Sequence, residues 1–379
     1  MSREKPKVLA VGALPPPFNG MSVVFKNLCQ STLNDDVNLV VLDIADNRDI
    51  ASIGKLDVVN IFLAFLHGYQ FLRLLVKQKP DIVYMPIAQG VLGYLRDCLF
   101  LIPSRLLNLP VIVHLHGSEF QSFYKKSMWP MRKLIKYSLA KAKKAIVLGN
   151  ALKGEFDGIL SSEKVAVIPN GIIIQHSVKT VKSPKDENIN VTYLGALKRR
   201  KGYQEIIYAI PDIVSEVNNM HFYLAGEVCD FENYKEVTDF IKENRLEKYI
   251  TFSGVVEGED KYRLLEKADI FCFPPIEPEG QPLVILEAMA CGLPVISTEF
   301  GAIPDIVKNG ENGFVISPGN RQQLVKKITE LANSFEKRQE MGKASKRMYE
   351  NHFTREKWTE NLKALFLKVF TNESESRCT

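Results

Sequence analysis

This sequence has the pattern of an α/β protein with two doubly wound domains facing each other across a cleft, on three grounds. Short strand-like runs recur along the chain, and most are continuously apolar, as strands buried on both faces of a parallel sheet should be. Segments of helical length separate many of them, giving the βα alternation of a parallel sheet. The runs also fall into two series divided by a polar stretch, and 379 residues exceed one ordinary core.

The first series is KVLAVG (7–12), LVVLDI (39–44), DIVYM (81–85), VIVHLHG (111–117), AIVLG (145–149) and VAVIP (165–169). The stretch SVKTVKSPKDENIN (177–190) then carries Pro184, mixed charges and almost no large apolar residue, so it reads as a linker with a boundary near 182. The second series is NVTYLG (190–195), HFYLAG (221–226), YITFSG (249–254), DIFCFP (269–274), PVIST (294–298) and GFVIS (313–317). The expected domains are therefore 1–182 and 183–350. The amphipathic segment 351–379 forms a last helix that could pack on either. Ligands of such sheets bind beyond the carboxyl ends of the strands, which directs attention to the residues after each run.

Apolar residues at 46% and charged residues at 25% exclude disordered and fibrous classes. Six cysteines with no two-residue spacing argue against a zinc site or a disulfide scaffold and suit a reducing compartment. MSREKPKVLAVG has no apolar signal region, so a cytoplasmic location is expected. The stretch from Val58 is interrupted by Asn60, His67, Gln70 and Arg73, and that from Val91 by Arg96, Asp97 and Arg105; neither is expected to span a bilayer. Net charge is +5, but residues 1–180 hold 22 Lys and Arg against 13 Asp and Glu, so the first half is the basic one.

The most informative stretch is PPIEPEGQPLVILEAMACGLPV (274–295). Pro282 suits the first position of a helix running from Leu283 to about Cys291, and Gly292 suits a left-handed end. Glu287 is the one charge in that helix, and a buried carboxylate requires a partner, either a buried Lys or Arg or a ligand group. Glu279 lies just ahead, where the N–H groups of Gly280, Leu283 and Val284 and the positive helix end make a seat for an anion or a polar sugar. Lys198, Arg199, Arg200 and Lys201 follow the strand ending at Gly195, and four adjacent cations imply an anion or an acidic surface nearby.

EGQPLVILEAMACGLPVIST resembles the signature of the retaining glycosyltransferases of family 4, two glutamates with seven residues between them. PPPFNGMS, HLHGSEF, VIPNGI, YLGALKRRKG, ITFSGVV, ADIFCFPP and GAIPDIVKNGENGFVISPG extend the likeness, closely in the second half and loosely in the first. The resemblance implies a GT-B architecture of two Rossmann-like domains, the second holding a nucleotide-sugar and the first an acceptor, with a last helix that commonly crosses back to the first. It implies that Glu287 binds the ribose, Glu279 the transferred sugar and Lys201 the diphosphate. Gly20 would approach the donor phosphates or the acceptor, and His116 would lie near the reacting centre. The sequence departs from the family at Ala196, where Arg is usual, so Lys198, Arg199 or Arg200 would take over diphosphate contacts. It departs again at Asn19, where a second glycine is common.

No Asp-x-Asp follows a strand, so Lys201, its neighbours and the helix N-terminus are expected to stabilise the leaving group without a metal, and no cofactor is implied. Retention by front-face attack is the expected course. KKSMWPMRKLIKYSLAKAKK (125–144) holds eight Lys or Arg, no acid and an interleaved Trp129, the pattern of a basic amphipathic helix on an anionic membrane surface. The expected acceptor is thus an isoprenoid-diphosphate-linked saccharide of O-antigen or capsule type, and no nucleic acid is expected. A nucleotide-sugar epimerase of GT-B shape or a non-enzymatic nucleotide-sugar binding protein would share much of this pattern. A dehydrogenase would not, since VGALPPPFNG lacks G-x-G-x-x-G spacing.

Overall fold

In a computed structural model of the protein, residues 5–16, 20–46, 48, 57–174 and 188–378 are described, with side chains to Glu373. All twelve strand-like runs form strands. In the first sheet β1 (Lys7–Gly12), β2 (Asn38–Asp43), β3 (Ile82–Pro86), β4 (Val111–His114), β5 (Ala142–Val147) and β6 (Val165–Val167) lie in the order β2-β1-β3-β4-β5-β6, all parallel. The helices α1 (Gly20–Cys29), α2 (Val58–Gln78), α3 (Val91–Leu106), α4 (Phe120–Lys126) and α5 (Trp129–Leu139) connect them. The connections through α2, α3 and α5 all progress in one direction across the sheet, so right-handed crossovers put these helices on one face, where α3 touches both α2 and α5.

The second sheet is built from β7 (Ile189–Leu194), β8 (Met220–Ala225), β9 (Ile250–Gly254), β10 (Ile270–Phe273), β11 (Val295–Thr298) and β12 (Gly313–Ile316), in the parallel order β12-β11-β10-β7-β8-β9. Around it lie α6 (Tyr203–Glu216), α7 (Phe231–Glu243), α8 (Gly258–Lys267), α9 (Leu283–Ala290), α10 (Ile303–Ile306), α11 (Arg321–Ala332) and α12 (Phe335–His352). Its core includes Tyr193 stacked on Phe273 with ring centroids 5.7 Å apart.

Two contact units result, Met1–Gly171 with Thr354–Thr379, and Ile172–Phe353. The chain thus enters the second unit before the expected boundary at 182, and most of the expected linker lies outside the described residues. The final helix α13 (Arg355–Cys378) belongs to the first unit, where Trp358, Leu362 and Phe366 are fully buried. Phe366 stands edge-on to Tyr84 at 5.6 Å, and Lys363 pairs with Asp36 at 2.5 Å.

The basic stretch 125–144 is not one helix. α4 stops at Lys126, where the Ser127 hydroxyl donates to the Phe123 carbonyl at 2.7 Å. Pro130 has no N–H to give and fits only a first turn, so a new helix begins at Trp129. Lys143 and Lys144 lie in β5, where Lys144 donates to the Glu163 carbonyl at 2.6 Å and Lys143 pairs with Glu373.

Candidate active site

In the second sheet the strand order reverses between β7 and β10, the place where doubly wound sheets open a crevice at their carboxyl ends. The loops leaving these two strands carry the basic cluster and Glu279. Gly202, with φ +78°, opens α6, and a Cβ there would lie 1.7 Å from the Pro274 carbonyl oxygen, so only glycine lets the two loops close up. The Ile276 N–H donates to the Arg200 carbonyl at 3.0 Å and ties them further.

That closure brings Lys201 Nζ to 2.6 Å from Glu279 Oε1 and Arg200 Nη2 to 3.3 Å from the same oxygen, with Glu279 only 11% exposed. Arg200 Nε also lies 3.8 Å from Glu277. From the other side Gly301, at φ +56°, presses against Glu279, its missing Cβ falling 1.7 Å from the Glu279 carbonyl. Ala302 N–H donates to the Gly280 carbonyl at 2.8 Å. Lys198 caps the short turn Arg199–Lys201, and neither Lys198 nor Arg199 is within ion-pair distance of Glu279 or Glu287 among the described residues. Arg200 and Lys201 thus face the two carboxylates Glu277 and Glu279, whereas the charge of Arg199 acts on Glu205 of α6 and that of Lys198 on Cys229.

Pro282 is the N-cap of α9, one position earlier than expected, with ψ 119°. Leu283 and Val284 therefore open the helix, at positions whose N–H groups have no intrahelical acceptor, while the Ile285 N–H donates to the Pro282 carbonyl at 3.1 Å. Gly292 takes the left-handed position after the helix at φ +71°. Glu287, 13% exposed, meets Lys261 Nζ of α8 at 2.6 Å. Of the two kinds of partner its burial required, the protein itself supplies a lysine. Sequence reasoning missed Lys261 because it is one of many charges on an amphipathic helix; only the buried Tyr262, Leu264 and Leu265 hint at how α8 is turned.

In the first unit Gly20 is the first residue of α1, with open space where a Cβ would stand, while Asn19 lies outside the described residues. His116 follows β4 and its ring stacks at 4.0 Å, tilted by 31°, on that of His114. His114 is fully buried, its Nδ1 2.7 Å from the Tyr84 hydroxyl. Burial pushes the His116 imidazole down to about 4, so it is neutral at pH 7. Burial, aided by the neighbouring His116, also holds His114 well below the usual histidine range. Glu119 N–H donates to Gln89 Oε1 at 2.9 Å, tying the loops after β4 and β3 together. Among the described residues no group of three or more His, Cys, Asp or Glu side chains is placed to hold a metal ion.

Comparison with known proteins now decides the family. The profile described as Glycosyltransferase Family 4 matches residues 18–176, and that described as Glycosyl transferases group 1 matches residues 176–348. The chain belongs to glycosyltransferase family 4. Its fold is accordingly GT-B, and it is a glycosyltransferase. This family 4 enzyme is 26% identical over 343 residues to the uncharacterized glycosyltransferase MJ1178 of Methanocaldococcus jannaschii, covering 90% of this chain and 92% of that protein. It is 28% identical over 245 residues to the capsular polysaccharide biosynthesis glycosyltransferase CapM of Staphylococcus aureus, covering 65% of this chain and 60% of CapM. The structure of Alr3699/HepE from Anabaena in complex with UDP-glucose superposes with a TM-score of 0.70 at 19% identity, covering 96% and 99% of the two chains.

Proposed function

We propose that the enzyme moves a hexose or N-acetylhexosamine, with retention, from a UDP-sugar to a saccharide carried on an isoprenoid diphosphate in O-antigen or capsule-type polysaccharide assembly. The observation that carries this reading is the Glu279 carboxylate, held by Lys201 and Arg200 at the switch point of the second sheet with Glu287 eight positions on. A UDP-sugar brings the diphosphate that Lys201 and Arg200 would hold, and HepE, bound to UDP-glucose in its own structure, supports the choice of donor. CapM supports the polysaccharide context.

In this reading the first unit takes the acceptor and the second the donor. Glu287 turns from Lys261 to the ribose hydroxyls, and Glu279 holds hydroxyls of the transferred sugar. Lys201 and Arg200, with Lys198, Arg199 and the N–H groups at Gly280, Leu283 and Val284, stabilise the departing diphosphate. The acceptor hydroxyl attacks the anomeric carbon from the face that UDP leaves. The carbon–oxygen bond to UDP breaks, and a phosphate oxygen takes the acceptor's proton. Neutral His116 contributes a hydrogen bond to the sugar, and Gly20 lets ligand approach the start of α1. No metal and no cofactor take part. The enzyme works as a peripheral protein on the cytoplasmic face of the membrane, with the cations of α4 and α5 towards anionic lipid.

Calorimetry with UDP-Glc, UDP-Gal, UDP-GlcNAc, UDP-GalNAc and GDP-Man, with and without chelator, tests it. One UDP-sugar should bind equally well in chelator and should bind at least about 10-fold more weakly to Glu287→Ala. Binding that needs a divalent ion, or that ignores the substitution, would refute the assignment.

A further inference from the structure

The surface that the proposed chemistry leaves unexplained is α2. Its inner side packs on the first unit through His67, Gly68, Phe71 and Leu75. Outside, Val58, Phe62, Phe65, Tyr69, Leu72 and Val76 recur at steps of four and three and are 82, 65, 67, 65, 46 and 76% exposed. Such spacing places them in one stripe along the helix, about 27 Å from end to end. The sequence stretch looked too interrupted to span a bilayer, yet by length and composition α2 is long and apolar enough to cross one. It does not stand free to do so, because its inner side belongs to the core.

The stripe continues beside α3. A groove of about 370 Å³ between the two helices is lined by Ile61, Phe65, Leu92, Leu95 and Leu99 among others. Charge discriminates among occupants. α2, α3 and α5, on the same face of the sheet, hold seven Lys or Arg and one acid, Asp97, which is fully buried and paired with Arg96. At the start of α2, Asp46 and Asp57 are both engaged by Arg48. A second copy of this face would bring cations against cations, whereas an anionic bilayer offers acyl chains to the stripe and headgroups to the cations.

We infer that the outer face of α2, with the α2/α3 groove, beds into the headgroup–acyl boundary of an anionic bilayer, the helix lying flat in the membrane surface. This deepens the peripheral-membrane part of the proposed function and rests on it, and names α2 and the α2/α3 groove, beside the α5 cations, as the surface that enters the bilayer. Apolar burial would supply the affinity, and Arg73, Lys77 and the α5 cations the preference for anionic lipid.

Cosedimentation with vesicles of phosphatidylcholine and phosphatidylglycerol tests the inference with three forms of the full chain: wild type, Phe62→Ser with Phe65→Ser, and Lys133→Gln with Lys136→Gln. Exposed phenylalanines can be replaced without opening the core, and an unchanged melting temperature verifies that. The wild type should bind, and the phenylalanine variant should lose about 100-fold in partition coefficient while binding the nucleotide-sugar as before. Undiminished vesicle binding by that variant, with loss in the lysine variant, would overturn the role of α2 and leave the peripheral reading standing. No binding by the wild type would overturn both, with donor binding still testing the glycosyl chemistry separately. Self-association that disappears with Phe62 and Phe65, seen by sedimentation without vesicles, would overturn the inference in favour of a second copy.

Discussion

Glu287 and Lys261 face each other at 2.6 Å with both groups mostly out of water, so removing either strands the other. Lys261→Met should lower stability by about 1.5–3 kcal/mol in urea unfolding, and adding Glu287→Gln should recover part of that loss. Additive losses in the cycle would contradict the pairing. Burial at His116 carries a pH signature. Its folded pKa, about 4, is below the unfolded value, so the unfolded chain binds more protons between about pH 6.5 and 4. Stability is full above that window and should fall as pH drops through it; His116→Phe should flatten the fall in melting temperature. The sequence made Glu287's need for a partner legible, since a charge among Leu, Ile, Ala and Met cannot stand alone. It could not identify Lys261, because which face of α8 turns inward is settled only by packing.

At the level of elements, the strands were legible because burial on both faces leaves continuous apolar runs that recur between helix-length segments; a run alone does not decide, since LVIL opens the helix α9. The basic stretch 125–144 was not, since its uniform charge hid a break that Pro130 and the start of β5 impose. Exposure of α2 was illegible for the opposite reason: an apolar helix looks the same whether its second face meets protein or lipid. Two glycines at element starts separate structure from chemistry. Gly202→Ala would drive a Cβ into the Pro274 carbonyl at positive φ, so it should lower the melting temperature sharply and abolish nucleotide-sugar binding. Gly20→Ala meets nothing within 4 Å and should melt like the wild type. A reduced rate of sugar transfer in that stable variant would mark Gly20 as a place where ligand approaches, and an unchanged rate would remove it from the site.

Across the whole molecule, the chain builds most of one unit, all of a second, and then returns to the first with α13. The return is energetically substantial, since Trp358, Leu362 and Phe366 are each fully buried there. Deleting residues 354–379 should therefore accelerate hydrogen exchange in peptides of β3 and of residues 32–36, which α13 covers, and leave β7 to β12 unchanged. Equal acceleration in both units would show that α13 does not act on the first alone. Both tryptophans, Trp129 and Trp358, lie in the first unit, so selectively excited tryptophan fluorescence reports on the unfolding of that unit.

The same threading has a consequence for the nascent chain. A ribosome delivers the second unit complete before it delivers the residues that close the first. Throughout that interval the seat of Trp358 beside Gly171 stands open on the growing protein, so the part translated earliest is the part whose maturation finishes last.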